Sequence, residues 1–211
     1  MRPFFSPDRL WPDGHTRLHV YLHPNLHTHP QLAALIKQAR GVLAEYPREV
    51  TLVPDEWLHL TVAAAPFEVD DLDHLRASLR QALHGLPPVG LRVGSTLATY
   101  SSVLLDAGDP DRAFAGLHAR VDEAILRSTG RPATITTAPH LALAYGADAA
   151  TVDSGRIGTA LRHQCRPPHA PLTISEVLLV RVTQDTEIGA YTWDCLERYR
   201  LTPPSRGDDD A

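Results

Sequence analysis

Two stretches decide the reading of this chain: Trp57-Leu58-His59-Leu60-Thr61-Val62 and Ala138-Pro139-His140-Leu141-Ala142-Leu143-Ala144-Tyr145. Each sets one histidine into an alternating apolar run. Alternation along a strand puts His59 and Thr61 on one face, with Leu58, Leu60 and Val62 on the other. His140 and Ala142 likewise share a face, and Leu141 and Leu143 point away. By the same alternation Tyr145 falls with Leu141 and Leu143, on the side opposite His140. Side chains two positions apart on a strand are roughly 6 to 7 Å apart. A histidine and a hydroxyl at that spacing can reach adjacent oxygens of one phosphate.

Such a pair suits transfer at a phosphodiester. One imidazole, neutral, accepts a proton from the attacking hydroxyl or water, and the other, protonated, gives one to the departing oxygen. Histidine fits both roles because its ordinary pKa is about 6.5. A hydroxyl beside each ring would hold the non-bridging oxygens, and the chemistry asks for no metal and no cofactor.

Outward from these motifs the chain alternates strands and helices without a regular βαβ repeat, which indicates an α+β fold. Arg17 to Leu22 reads as a strand ended by Pro24. Pro30 to Leu43 reads as a helix with Leu32, Leu35, Ile36, Ala39, Val42 and Leu43 on its apolar stripe. Short strands are expected over 50–53 and 57–63, and a helix over 69–84, stopped by Gly85 and Pro87-Pro88. Strands over 89–100 and 103–105 precede a helix opened by Asp109-Pro110. A strand from His140 to Tyr145, a weaker helix over 152–163, a long β stretch over 172–183 and a last strand over 191–201 complete the body. Residues 1–16 read as an irregular N-terminal arm, 17–201 as a single bilobal domain, and 202–211 as a disordered acidic tail.

With both motifs in view, the sequence resembles the two-histidine (2H) phosphoesterase superfamily, whose signature is a pair of His-x-Thr/Ser-x motifs. Within it the chain looks most like the bacterial 2′-5′ RNA ligase and cyclic phosphodiesterase branch. The likeness spans about residues 17 to 201, including Arg17-Leu18-His19, the Val53-to-His59 approach and Tyr191-Thr192-Trp193. It implies a bilobal, pseudo-twofold fold with two antiparallel-type sheets flanked by helices around a central cleft. It also implies metal-independent phosphodiesterase activity on a 2′,3′-cyclic phosphate or a 2′-5′-linked nucleotide or RNA end. By position His59 and His140 become the acid/base pair and Thr61 a phosphate donor. His19, on the first strand, and Tyr145 are further candidates for the substrate cleft.

The second motif departs from the pattern, since Ala142 stands where the family carries Thr or Ser. Loss of one such donor costs about 2.7–4 kcal/mol in the transition state, roughly a hundred- to thousandfold in rate. Water, Thr137 or an arginine would have to substitute. Arg181, on the long β stretch, is a candidate clamp on the phosphate. The departure also admits an alternative: a catalytically weakened nucleotide-binding or specialised pathway protein on the same fold.

Composition bounds the partners. The 211 residues carry a formal net charge of −5, which excludes the broad basic face of a non-specific nucleic-acid binder. Asp208, Asp209 and Asp210 hold part of that charge, so the body is near neutral and suits a nucleotide or short RNA with a cyclic phosphate. No run is long enough to span a membrane, and the first residues lack a secretory apolar segment, so a cytoplasmic monomer is expected. Cys165 and Cys195 read as isolated thiols. His19, His23, His27 and His29 crowd the first strand and its turn without the carboxylate or thiol partners of a zinc motif. Trp57 and Trp193 read as core or rim residues. No glycine-rich phosphate loop follows the first strand, which excludes Rossmann and P-loop readings.

Overall fold

The computed structural model describes residues 1–12, 14–67, 69–134, 138–147 and 153–202. In chain order these form β1 (Arg17–Leu22), α1 (Pro30–Leu43), β2 (Val50–Leu52), a 3-10 turn (Asp55–Trp57), β3 (Leu60–Ala64), α2 (Leu72–Leu83), β4 (Val89–Ala98), β5 (Ser102–Gly108), α3 (Ala113–Thr129), β6 (His140–Gly146), α4 (Ser154–Gln164), β7 (His169–Ile174), β8 (Glu176–Asp185) and β9 (Ala190–Arg200). The fold is α+β with two antiparallel sheets. Thr137, the residues expected to open the helix at 152, and the tail from 203 lie outside the described residues.

One sheet has the order β3-β1-β8-β9 and the other β2-β6-β5-β4-β7. Setting β2 aside, the two orders correspond: β3 with β6, β1 with β5, β8 with β4, β9 with β7. The pseudo-twofold relation is therefore built into the strand order. It is also interlocked, because β4 leaves the first half of the chain to join the second sheet while β8 returns to the first. Neither half owns a complete sheet.

Each sheet has an apolar face and a cleft face, the usual division of an antiparallel sheet with one side packed. In the first sheet Val20, Leu22, Leu60, Val62, Val177 and Leu179 join the main core, together with the buried stripes of the four helices. Burying side chains of this size stabilises the fold by about 1.5–3 kcal/mol each. On the reverse face Tyr21, Leu178, Val180 and Val182 form a separate cluster with Trp11, Tyr191 and Trp193 against it. Among the described residues no helix is long and apolar enough to cross a membrane.

Local chemistry sets several boundaries away from the sequence expectations. The stretch over 172–183 is two strands in different sheets, β7 and β8, broken at Ser175, whose carbonyl accepts from Leu201 N at 2.8 Å. Residues 55–57 turn instead of extending, with Trp57 N bonded to Pro54 O at 3.1 Å, so the strand begins at Leu60. The third helix starts at Ala113, after Pro110, because Arg112 adopts a left-handed φ of 56°. The Asp109 carboxylate caps that helix, accepting from Phe114 N at 3.1 Å and Ala115 N at 2.9 Å.

Both motif strands carry a bulge at the same place. In β3 Thr61 faces Tyr21 while Ala63 faces Val20, so one extra residue is accommodated after the motif. In β6 Ala142 faces Leu104 while Ala144 faces Val103, the same irregularity. A bulge resets the alternation. The fifth residue after each histidine, Ala64 or Tyr145, therefore returns to the cleft face.

Candidate active site

The approach to the first histidine is fastened from α1. Arg40 pairs with Asp55 through one guanidinium nitrogen and donates to Val53 O at 2.6 Å through another. The 3-10 turn then presents His59 directly before β3. Its Nδ1–H donates to Trp57 O at 2.8 Å. In the second half His140 Nδ1–H donates to Ala138 O at 3.1 Å. In each motif the ring is thus tied to the carbonyl two residues earlier. A carbonyl only accepts, so Nδ1 carries a proton in each ring and Nε2 is left free of the tether, able to accept in a neutral ring or donate in a protonated one.

Both histidines line one cavity of about 180 Å³. Thr61, Ala142 and His19 line it too, as does Tyr145. The alternation had sent Tyr145 away from His140. The bulge in β6 corrects this, pairing Tyr145 with Ser102 on the face that carries Ala142 and His140. Arg181 is also corrected: it does not line the cavity. It stands opposite Leu18 and Asp194, whereas His19 stands opposite Val180, so Arg181 projects from the other face of the sheet and is exposed. Among the described lining residues none is Arg or Lys.

Four further lining residues, Phe4, Tyr21, Ser102 and Tyr191, were not among the site residues expected from the sequence. Tyr21 had a legible signal, since it shares the alternation of His19. Ser102 becomes visible only once β5 is paired to β6. Phe4 belongs to the irregular arm and carried no local signal. Tyr21 stacks on His59 with ring centroids 3.9 Å apart at 15°. Its hydroxyl meets His19 Nδ1 at 2.9 Å. The Ser102 hydroxyl lies 2.9 Å from Thr99 Oγ1.

Burial dominates the electrostatics of the first half. It lowers His59 to about 4, with the Trp57 carbonyl pulling the other way and the His140 charge adding to the decrease. Burial likewise lowers His19 to about 3, assisted by the positive charges of Arg17 and His59. His19 Nε2 is buried without a hydrogen-bond partner. Arg17, on the same strand face, is held by Ala65 O at 2.8 Å and by the Thr134 hydroxyl. Burial raises the phenols of Tyr21 and Tyr145 well above their ordinary range, so both are neutral donors.

Of the other histidines of the first turn, His29 serves the scaffold. Its Nδ1 bonds Asn25 O at 2.8 Å, and its Nε2 accepts from Thr173 N at 3.2 Å. Among the described residues no group of three or more His, Cys, Asp or Glu side chains could hold a metal ion. Trp57 and Trp193 meet edge to face at 5.2 Å beside the cavity rather than in its lining.

A sequence model of the 2′-5′ RNA ligase superfamily matches residues 14–186. No curated protein matches the chain by sequence. Among solved structures, TT0787 of Thermus thermophilus is similar over 89% of this chain and 98% of its own, at 18% identity and a TM-score of 0.65. LigT of E. coli complexed with 3′-AMP is similar over 89% of this chain and 99% of its own, at 18% identity and a TM-score of 0.61. LigT complexed with phosphate gives 89% and 98%, at 17% identity and a TM-score of 0.59. The chain belongs to the 2′-5′ RNA ligase superfamily, the two-histidine phosphoesterases.

Proposed function

We propose that this member of the superfamily is a metal-independent phosphodiesterase whose general base is His59 and whose general acid is His140. The substrate class is a 2′,3′-cyclic phosphate or a 2′-5′-linked nucleotide end. The observation that carries this reading is the matched pair of backbone-tethered imidazoles lining one cavity, each with Nε2 free of its tether.

The division of roles follows burial. His59 is sealed beneath Tyr21 and held neutral down to about pH 4, so its Nε2 can accept a proton from an attacking water. His140 is the more exposed ring and is left to donate. As the water oxygen forms its bond to phosphorus, its proton passes to His59 Nε2. The bond from phosphorus to the departing 2′ or 3′ oxygen breaks, and His140 Nε2–H protonates that oxygen. The product is a phosphomonoester with a free hydroxyl.

Thr61 Oγ1 and the unpartnered His19 Nε2 supply donors from the first half. In the second half Ser102 stands on the neighbouring strand, on the face that carries Ala142 and Tyr145. Its hydroxyl is the group in the right chemical class to replace the one absent at Ala142. Crystals of LigT hold 3′-AMP, ATP and NADP+, which supports a nucleotide ligand for a chain of the same fold.

The test is hydrolysis of a nucleoside 2′,3′-cyclic phosphate by the parent, His59→Ala and His140→Ala. Each variant is expected to lose about 10²- to 10⁴-fold in kcat. Equal rates in parent and variants would overturn the acid/base assignment. Ala142 favours a second reading, a binding protein on this fold. Tight binding of the cyclic phosphate by the parent without product would select it.

A further inference from the structure

We infer that residues 1–12 form a specificity wall that limits the cavity to a mononucleotide-sized ligand and turns away a longer oligonucleotide. This rests on the nucleotide reading of the site and adds the size class to it. The superfamily match begins at residue 14, so the arm lies outside the matched region.

The arm is anchored to both sheets. On the second sheet Phe4 N donates to Gly146 O at 3.0 Å, and Arg2 N donates to Tyr100 O, beside that sheet, at 2.8 Å. The approach is so close that a Cβ on Gly146 would lie 2.1 Å from Arg2 O, which only glycine permits. On the first sheet Gln184 of β8 clasps the other end. Its Oε1 accepts from Trp11 N at 2.6 Å, and its Nε2 donates to Arg9 O at 3.1 Å.

Between these anchors the arm delivers a ring to the cavity. Phe4 lines it, 4.1 Å from Tyr145 of β6 and 5.9 Å from Tyr191 of β9. Phe5 sits 5.5 Å from Tyr145 and 5.4 Å from Tyr191, so the two sheets are bridged by arm aromatics. The cavity volume, about 180 Å³, is below the roughly 300–1,000 Å³ that buries a drug-sized ligand. A phosphodiester centre with a partly projecting nucleoside fits that space. A polymer leaving past Phe4 would have to displace a segment pinned at both ends.

Calorimetry decides the matter, because it reads binding independently of turnover. The ligands are adenosine 2′-monophosphate and a phosphate-terminated, 2′-5′-linked adenosine trinucleotide, titrated into the parent, Phe4→Ala and Gln184→Ala. The parent is expected to favour the mononucleotide, and the ratio of trinucleotide to mononucleotide affinity to rise about tenfold in both variants. Gln184→Ala removes no cavity-lining ring, and besides its two bonds to the arm it gives up only a long 3.5 Å contact with the Tyr191 hydroxyl, so it reports on the arm even where loss of the Phe4 ring weakens folding. An unchanged ratio in both variants, equal binding of the two ligands by the parent, or binding of neither would overturn the inference. A shifted ratio without turnover of a cyclic phosphate by any form would reject the catalytic reading and keep the wall.

Discussion

The two motif strands are the same device executed twice, and the copies differ at residues that line the cavity. Both histidines are tethered through Nδ1 to the carbonyl two residues earlier. Both strands bulge directly after the motif and return the fifth residue to the cleft. The first half then seals its ring, with Tyr21 stacked on His59 and His19 bonded to Tyr21. The second half leaves His140 more open, with alanine where the first has Thr61, and places Ser102 where the first has His19. A symmetric frame supplies two convergent imidazoles. In the proposed mechanism, asymmetric packing is what makes one a base and the other an acid.

The sharpest way to break this comparison is to remove the hydroxyl on each side in turn. Thr61→Val and Ser102→Ala are each expected to lower kcat by about a hundred- to thousandfold if each donates to a non-bridging oxygen. Steady-state turnover of a nucleoside 2′,3′-cyclic phosphate measures both. A loss confined to Thr61→Val would show that the second half works without a hydroxyl.

A smaller effect separates the halves by acid sensitivity. His59 is depressed to about 4 and His19 to about 3, whereas an unfolded chain takes up these protons near 6.5. Between those values the unfolded state binds more protons, so stability falls as pH drops from about 6.5 and levels off below the folded values. Each buried histidine contributes a slope of about 1.4 kcal/mol per pH unit across that window. Replacing His19 with Phe removes one contribution. Urea midpoints taken at pH 7 and pH 5 are expected to differ less in His19→Phe than in the parent, and an equal difference would mean that His19 is not a buried neutral group.

Much of this frame was legible in the sequence because period-2 alternation and helix stop signals are local. The first strand and the first helix follow from such signals, whereas the meeting of His59 and His140 at one cavity was expected from the doubled motif and its family resemblance. What alternation cannot encode is an inserted residue, so Tyr145 read onto the wrong face until the pairing of β6 with β5 exposed the bulge. Nor does it encode which sheet a strand joins, hence the reading of β7 and β8 as one stretch and of Arg181 as a clamp. Phe4 and Ser102 owe their places to partners about 141 and 43 positions away along the chain, Tyr145 in each case. No short window contains that information.

The least disruptive substitution asks how completely the second half has been rebuilt around its alanine. Ala142→Ser adds a hydroxyl at the position matching Thr61, on a strand face where the half-buried Ala142 borders the cavity. One small polar atom beside open space carries little steric cost, and fold and melting temperature are expected to hold. If Ser102 covers the missing donor only in part, kcat rises a few-fold, well short of the hundredfold that a wholly absent donor would leave to recover. A full hundredfold gain would mean that Ser102 contributes nothing. No gain would mean that the neighbouring strand has already replaced the hydroxyl. Pairing Ala142→Ser with Ser102→Ala distinguishes these outcomes through their coupling: independent donors give additive effects, whereas donors that serve the same phosphate oxygen give a double variant close to the parent.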